Sequence, residues 1–127
     1  MILLDTNALL WVYQGAPELG PRSRDLVTGA GPVVYSAISL VEIEMKAQLG
    51  RIEVPDSLQD DLTASGLEAV PFPLSAASLL REFPHLARHD PFDRMILAHA
   101  QAANATLLTS ERTLLALGLK WVSDARA

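Results

Sequence analysis

The 127-residue chain contains no cysteine, so disulfide bonds and thiolate metal sites are excluded. It also lacks an uncharged apolar stretch of the roughly 18 to 20 residues that a membrane-spanning helix needs. No basic leader precedes Asp5, and we therefore expect neither a signal peptide nor contact with a membrane. Half of the residues are hydrophobic. These features predict a cytoplasmic protein with one compact domain over residues 1–127.

Basic residues are scarcer than acidic ones, and the formal net charge is −5. This charge alone disfavours a nucleic-acid-binding protein, because such proteins are usually basic. The objection weakens if several acids lie together and hold divalent cations, since bound cations reverse the local charge.

Short apolar runs alternate with helical segments along the whole chain. Helices are predicted at 8–13, with Thr6 or Asn7 as the cap, and at 17–28, 37–49, 55–65, 75–82, 91–103 and 111–117. Strands are predicted at 2–4, 33–35, 68–72, 105–109 and 120–122. Proline confines the third of them to a sheet edge or to a strand end. This alternation predicts an α/β fold with a mostly parallel central sheet flanked by helices.

Two acids follow predicted strands directly. Asp5 ends the first apolar run, and Glu111 comes after the fourth strand. Ligands of open α/β sheets gather beyond the carboxyl ends of the strands. Each acid also has a simpler interpretation, because Asp5 could cap the next helix and Glu111 could lie in the first turn of a surface helix.

Glu42 lies on or beside an apolar stripe of its predicted helix. We expect that stripe, formed by Ile38, Val41, Met45 and Leu49, to be buried. An ionised carboxylate on a packed face is unfavourable unless it is paired or binds a metal. Glu42 is therefore a candidate site residue.

A second interpretation of Glu42 stays open. Ser39 and Glu42 match a capping box, in which the glutamate would accept from a backbone N–H at the helix start. That interpretation requires the helix to begin at Ser39. Ser36, directly after the strand, is an equally good start.

The helix after Pro91 also carries acids near its start. Asp93 shares a face with the apolar Ile96, Leu97 and Ala100, although the helix dipole would favour a carboxylate there in any case. For Asp90, capping is the favoured interpretation, because it directly precedes a proline at the first helical position.

Taken together, Asp5, Glu42, Asp93 and Glu111 suggest a shared cation site. Hard divalent cations such as Mg²⁺ prefer carboxylate and water oxygens. Clustered carboxylates repel one another, so some of their pKa values should be raised without metal. When these four are set aside, 11 acidic and 10 basic residues remain, so the net charge of the rest of the chain is close to zero.

Four sequence blocks stand out along the chain, at residues 3–11, 35–50, 89–98 and 108–111. The most specific is Asp90-Pro91-Phe92-Asp93-Arg94 in the third block. In their order and spacing, the four blocks resemble the PIN-domain family, and within it the VapC-type toxins of toxin–antitoxin pairs.

The resemblance implies a role for each candidate residue. Asp5, Glu42 and Asp93 match the metal-binding, catalytic acids of the family, and Glu111 stands where an aspartate is usual. Glutamate keeps the charge but reaches one methylene further. The resemblance adds supporting positions near the site, which are Thr6, Ser36, Ser39 and Asp90. Arg94 directly follows the third acid and is a further supporting residue; it could pair with a neighbouring carboxylate, which is the favoured interpretation, or contact phosphate.

The resemblance also implies an activity. It is Mg²⁺- or Mn²⁺-dependent cleavage of RNA by attack of a metal-activated water, which leaves 5′-phosphate and 3′-hydroxyl ends. A homodimer and a cognate antitoxin protein are implied as well. Leu9, Leu10, Trp11 and Tyr13 could contact the antitoxin, although ordinary core packing would explain at least half of them.

Two other functions remain as alternatives. One is a catalytically weak PIN-fold adaptor, which would lack some of the acids. The other is a receiver-like phosphoacceptor domain, which requires an acidic pair after the first strand, where this chain has only Asp5. A dehalogenase-like phosphatase requires a second aspartate at the position of Asn7.

Overall fold

The five strands form one sheet in the computed structural model, which describes residues 1–127. Its order is β3-β2-β1-β4-β5, and every pairing is parallel. The strands are β1 (Ile2–Leu4), β2 (Val33–Ser36), β3 (Glu68–Val70), β4 (Thr106–Thr109) and β5 (Val122–Asp124). The predicted α/β class is confirmed, and β3 lies at a sheet edge, which was one of the two positions that the neighbouring proline allowed. The last strand begins two residues later than predicted.

Seven α-helices connect or follow the strands. They are α1 (Thr6–Gln14), α2 (Pro21–Thr28), α3 (Ala37–Gln48), α4 (Leu58–Ala64), α5 (Leu74–Leu79), α6 (Pro91–Ala102) and α7 (Arg112–Leu115). Short 3₁₀ turns follow α5 at Leu80–Glu82 and Pro84–Leu86. Sequence analysis predicted every α-helix, but α2 begins later than expected, because Pro21 takes the first helical position.

Polar side chains at the helix starts fix three of the boundaries. Asp5 caps α1 by accepting a hydrogen bond from the Ala8 N–H at 2.7 Å. The prediction of Thr6 or Asn7 as this cap is wrong, because α1 already begins at Thr6. Ser36 caps α3 and Asp90 caps α6. Since α3 begins directly after Ser36, the capping-box interpretation of Glu42 is also wrong.

Apolar side chains pack on both faces of the sheet because alternate residues of each strand point to opposite sides. Leu4, Tyr35 and Leu108 lie in one core cluster, whereas Leu3 and Leu107 lie in the other. Helices α1, α3 and α4 contribute to the first cluster and α6 to the second. The sheet is thus covered on both sides, as parallel sheets require.

The orientation of α3 differs from the prediction. Val41, Met45 and Leu49 are 47%, 50% and 68% exposed, so most of the stripe expected in the core faces outward. The buried residues are Ser39, Glu42 and Ile43. The error has a physical origin: α3 contacts both α1 and α6, and its apolar residues lie on more than one face. Spacing alone therefore did not identify the packed face.

The apolar residues of α1 divide between core and surface. Leu9 is fully buried and belongs to the first core cluster. Leu10, Trp11 and Tyr13 are partly buried against the same cluster. Leu9 is therefore a packing residue, whereas the other three keep surface that a partner could contact.

None of the helices is both long and apolar enough to cross a lipid bilayer.

The direction in which strands are added to the sheet reverses once, between β1 and β4. From β1 the chain adds β2 and β3 on one side, and it then crosses back to add β4 and β5 on the other. The carboxyl ends of β1 and β4 are consequently neighbours at a topological switch point. Ligand sites of open parallel sheets lie at such points.

Candidate active site

A small cavity lies at this switch point, and no hydrophobic residue lines it. Its volume is about 160 Å³. We refer to it as the acidic pocket, and its lining residues are Asp5, Thr6, Asn7, Glu42, Lys46, Asp90, Asp93 and Glu111. The four principal acids predicted from sequence therefore line one cavity.

Each principal acid comes from a different element. Asp5 follows β1 and Glu111 follows β4, while Glu42 projects from α3 and Asp93 from the first turn of α6. These residues lie far apart in the sequence, and the parallel topology brings them together at the carboxyl ends of β1 and β4. The sequence signal was the strand-end position of Asp5 and Glu111 and the apolar helix face that carries Asp93. Glu42 was singled out from a stripe most of which in fact faces outward.

Asp5 is almost completely buried and firmly held. Its Oδ1 accepts from the Ala8 N–H, and its Oδ2 accepts from the Thr109 hydroxyl at 2.5 Å and from the Ser110 N–H at 3.2 Å. Burial raises the pKa of Asp5 to about 6, although these hydrogen bonds oppose the shift. Asp5 thus both caps α1 and lines the pocket, so its two predicted roles coexist.

Glu42 is buried and uses both carboxylate oxygens. Its Oε1 accepts from the Thr6 hydroxyl at 2.6 Å, and its Oε2 contacts the Lys46 ammonium. The Ser39 hydroxyl lies 3.0 Å from the Thr6 oxygen, behind the pocket wall. Hydrogen bonding to Glu42 is the main cause that raises the pKa of Lys46. The positive charge of Lys46 offsets the cost of burying the ionised Glu42 carboxylate, which the sequence analysis had identified as unfavourable.

Asp93 has the largest shift among the acids of the pocket. Burial raises its pKa to about 8, and the charges of Glu111, Asp90, Glu42 and Asp5 raise it further. Its place in the first turn of α6 does not prevent this shift. The prediction that clustering raises some carboxyl pKa values is confirmed, with burial as the larger cause.

Asp90 and Glu111 complete the acidic lining from more exposed positions. The Oδ1 atom of Asp90 accepts from the N–H groups of Phe92 and Asp93, so capping and pocket lining again coexist. Glu111 occupies the N-cap position of α7 but makes no capping hydrogen bond with its side chain. Its Oε1 instead accepts from the Asn7 amide at 3.3 Å.

Three predicted supporting residues do not line the cavity. Ser36 is fully buried, where it caps α3 and lies 2.8 Å from Nδ1 of His99. Ser39 reaches the pocket only through Thr6. The predicted pairing of Arg94 with a carboxylate is wrong, because its guanidinium donates to the Ala87 carbonyl at 3.2 Å. That contact directs the Arg94 head group back toward the turn before α6.

Sequence analysis missed the roles of three residues. Lys46 is one helical turn after Glu42, a spacing that often produces ion pairs and could have revealed it. Asn7 adjoins Thr6 in the first turn of α1 and faces the pocket. Thr109 holds Asp5 with its hydroxyl and also accepts from the Glu111 N–H, a position that only the β1–β4 pairing shows.

Three larger depressions lie elsewhere on the surface, with volumes of about 390, 570 and 390 Å³. Asp124 is the only acid that lines the first and the third, and Glu53 is the only acid that lines the second. None of them combines buried polar groups with shifted pKa values. The chemistry of the lining residues, and not volume, therefore identifies the acidic pocket as the candidate site.

The lining residues suit a hard divalent cation. Five carboxylates and the Thr6 hydroxyl supply only oxygen donors, which Mg²⁺ and Mn²⁺ prefer. The raised pKa of Asp93 further indicates negative charge without sufficient compensation. In their present conformations, however, no three acidic or histidine side chains are arranged closely enough to hold a metal ion. Binding would require some of these side chains to move.

Residues 2–118 match the model of the PIN domain family. The chain belongs to the PIN domain family. This membership excludes the receiver-like alternative and confirms the resemblance seen in the four sequence blocks. No curated protein matches the chain in sequence.

Several solved structures share the fold at low sequence identity. A toxin–antitoxin complex from Klebsiella pneumoniae contains a chain that is 19% identical, with a TM-score of 0.68 and 98% of each chain covered. VapBC2 from Rickettsia felis, bound to a DNA fragment from its promoter, gives 22% identity, a TM-score of 0.68 and the same coverage. FitAcB from Neisseria gonorrhoeae gives 20% identity, a TM-score of 0.62 and 98% coverage of each chain.

The raised pKa of Asp93 predicts how stability depends on pH. An aspartate of the unfolded chain has a pKa of about 3.9, whereas that of folded Asp93 is about 8. The folded state therefore retains a proton that the unfolded state releases. The stabilisation this proton provides is complete below pH about 4 and is lost as the pH rises through about 8. Asp93→Asn should remove this loss.

The measurement is urea unfolding in EDTA at several pH values between 4 and 8. The stability of Asp93→Asn relative to the unmodified protein should increase across this interval. Asp60→Asn is the control, because Asp60 is exposed on α4 outside the pocket. Parallel curves for Asp93→Asn and the unmodified protein would contradict the assignment.

Proposed function

We propose that this chain is a Mg²⁺- or Mn²⁺-dependent endoribonuclease with the acidic pocket as its active site. The observation that carries this proposal is the convergence of Asp5, Glu42, Asp93 and Glu111, from four elements, on one cavity. Membership of the PIN domain family supports nuclease chemistry.

Asp5, Glu42 and Asp93 would hold the cation, with Glu111 as a further ligand. When bound, the cation would supply Lewis acidity toward a phosphodiester and toward the water that attacks it. It would also offset the negative charge that otherwise repels RNA from the pocket. We expect 5′-phosphate and 3′-hydroxyl products.

The neighbouring groups would position these acids. Thr109 and the Ser110 N–H orient Oδ2 of Asp5, and Thr6 orients Oε1 of Glu42. The Asn7 amide similarly holds Oε1 of Glu111. The extra methylene of Glu111, relative to the usual aspartate, places its carboxylate within reach of this amide.

Cleavage of RNA by the purified protein tests the nuclease proposal. Activity should require Mg²⁺ or Mn²⁺ and should stop with EDTA. Asp5→Asn and Asp93→Asn should each reduce the rate by more than about 100-fold, because even the outer partners of a metal contribute roughly 10- to 100-fold. Asp60→Asn should retain full activity.

Circular dichroism should show that both inactive variants remain folded. Full activity in either variant, or cleavage that persists in EDTA, would disprove the mechanism. A well-folded protein without activity on any RNA would instead favour the adaptor alternative.

We also propose that the chain acts as the toxin of a type II toxin–antitoxin pair. The similar structures are described as toxin–antitoxin, VapBC and FitAB complexes, which supports this role at the level of the shared fold. The partly exposed Leu10, Trp11 and Tyr13 on α1 offer apolar surface for a cognate antitoxin.

Expression in bacterial cells tests the toxin role. The unmodified chain should arrest growth, and co-expression of a short neighbouring reading frame should restore it. Asp93→Asn should not arrest growth although it accumulates to the same level. Normal growth of cells that contain abundant folded protein would contradict the toxin role but not the nuclease chemistry.

A homodimer is the expected assembly, and we assign its contact to the outer face of α3. Val41, Met45 and Leu49 form an exposed stripe at four-residue intervals. The stripe is nearly symmetric about Met45. An antiparallel crossing of two copies would place Met45 against its equivalent and Val41 against Leu49 of the second copy. Such self-complementarity is what a two-fold interface requires.

Light scattering after gel filtration tests this contact. Met45→Glu should convert the dimer to a monomer, because two buried carboxylates would face each other at the axis. Glu44→Gln, on the same helix but beside the stripe, should leave the dimer intact. A dimer that persists in Met45→Glu would exclude this face as the interface.

A further inference from the structure

Lys46 is the only cationic side chain among the eight residues that line the acidic pocket. Its ammonium contacts Oε2 of Glu42 from the next turn of α3. The Lys46 side chain is 34% exposed and that of Glu42 only 4%, so Lys46 reaches from the surface to a buried carboxylate.

This contact occupies an oxygen that a metal would need. The other oxygen of Glu42 already accepts a hydrogen bond from Thr6 at 2.6 Å. A divalent cation bound at Oε2 would repel the ammonium beside it, whereas a neutral hydroxyl such as that of Thr6 can stay hydrogen-bonded to a carboxylate that binds a metal. Cation binding at Glu42 therefore favours withdrawal of Lys46. Thr6 is buried and fixed in α1, whereas Lys46 has a flexible chain and access to solvent.

An ordinary ion pair on a helix surface would be a simpler explanation. Exposed pairs at this spacing contribute about 0.3 to 0.5 kcal/mol and have no further role. The Lys46 pair differs in its surroundings, because Asp90 and Asp93 are close enough to act on the Lys46 charge. Lys46 therefore compensates a pocket of acids and not only one glutamate.

We propose that Lys46 is a tethered counter-ion that occupies Glu42 in the metal-free protein and leaves it when a divalent cation binds. Lys46 thereby sets the metal concentration that the site requires. This inference rests on the proposed function, since it assumes that the acidic pocket binds a metal.

Mn²⁺ binding measured by calorimetry tests the competition without reference to activity. Lys46→Met removes the competing charge and should tighten Mn²⁺ binding about tenfold, given the strength of one nearby charge at a protein surface. Lys46→Arg keeps the charge and should bind Mn²⁺ as the unmodified protein does. Lys120→Met is the matched control, because it removes the only other lysine, which is exposed outside the pocket.

A second measurement uses the unmodified protein and avoids any folding defect of Lys46→Met. With only two lysines, ¹⁵N,¹³C-lysine labelling gives two sets of side-chain signals. Saturating Mg²⁺ should shift the signal of Lys46 as it leaves Glu42, whereas the signal of Lys120 should not move.

The outcomes separate this inference from the proposed function. If Mn²⁺ binds the unmodified protein and Asp93→Asn abolishes binding, the metal site exists. Unchanged affinity in Lys46→Met, or a Lys46 signal that Mg²⁺ does not move, would then overturn the counter-ion role alone. Absence of Mn²⁺ binding to the unmodified protein would overturn the proposed function and this inference together.

Discussion

Repulsion among carboxylates at the carboxyl ends of the strands is the constraint on which the rest of the site depends. The fold holds Asp5 and Glu42 almost out of solvent and places the partly buried Asp93 in the same cavity. Burial and like charge both disfavour ionisation, which is why the pKa values of Asp5 and Asp93 are raised. Every polar group around the pocket either lessens this repulsion or fixes a carboxylate against it.

The polar groups act unequally on the acids. Asp5 accepts three hydrogen bonds, and its pKa rises to only about 6 despite nearly complete burial. Glu42 has an ammonium and a hydroxyl as partners. Burial raises the pKa of Asp93 to about 8, and four neighbouring carboxylates add to a shift that no hydrogen bond to its side chain opposes. A divalent cation would act most strongly where compensation is weakest, and that place is Asp93.

Local patterns predicted much of the fold and of the acid set. Alternating apolar runs and helical segments gave the strand and helix order, and Asp90 before Pro91 marked the start of α6. Arg94 shows the limit of such patterns, because its neighbours in sequence are carboxylates but its guanidinium reaches the Ala87 carbonyl. A long side chain can reach several partners, and only packing around its helix selects one.

The sequence by itself determined the parallel α/β class, the positions of the acids at strand ends and helix starts, and the family. Only the tertiary structure decided that α3 turns Glu42 inward and Met45 outward, and that Lys46 and Thr109 serve the pocket. The reason is physical: helical periodicity describes faces but does not say which one packs when apolar residues lie on several. Contacts such as that between Asp5 and Thr109 also depend on strand order, which residue spacing along the chain does not contain.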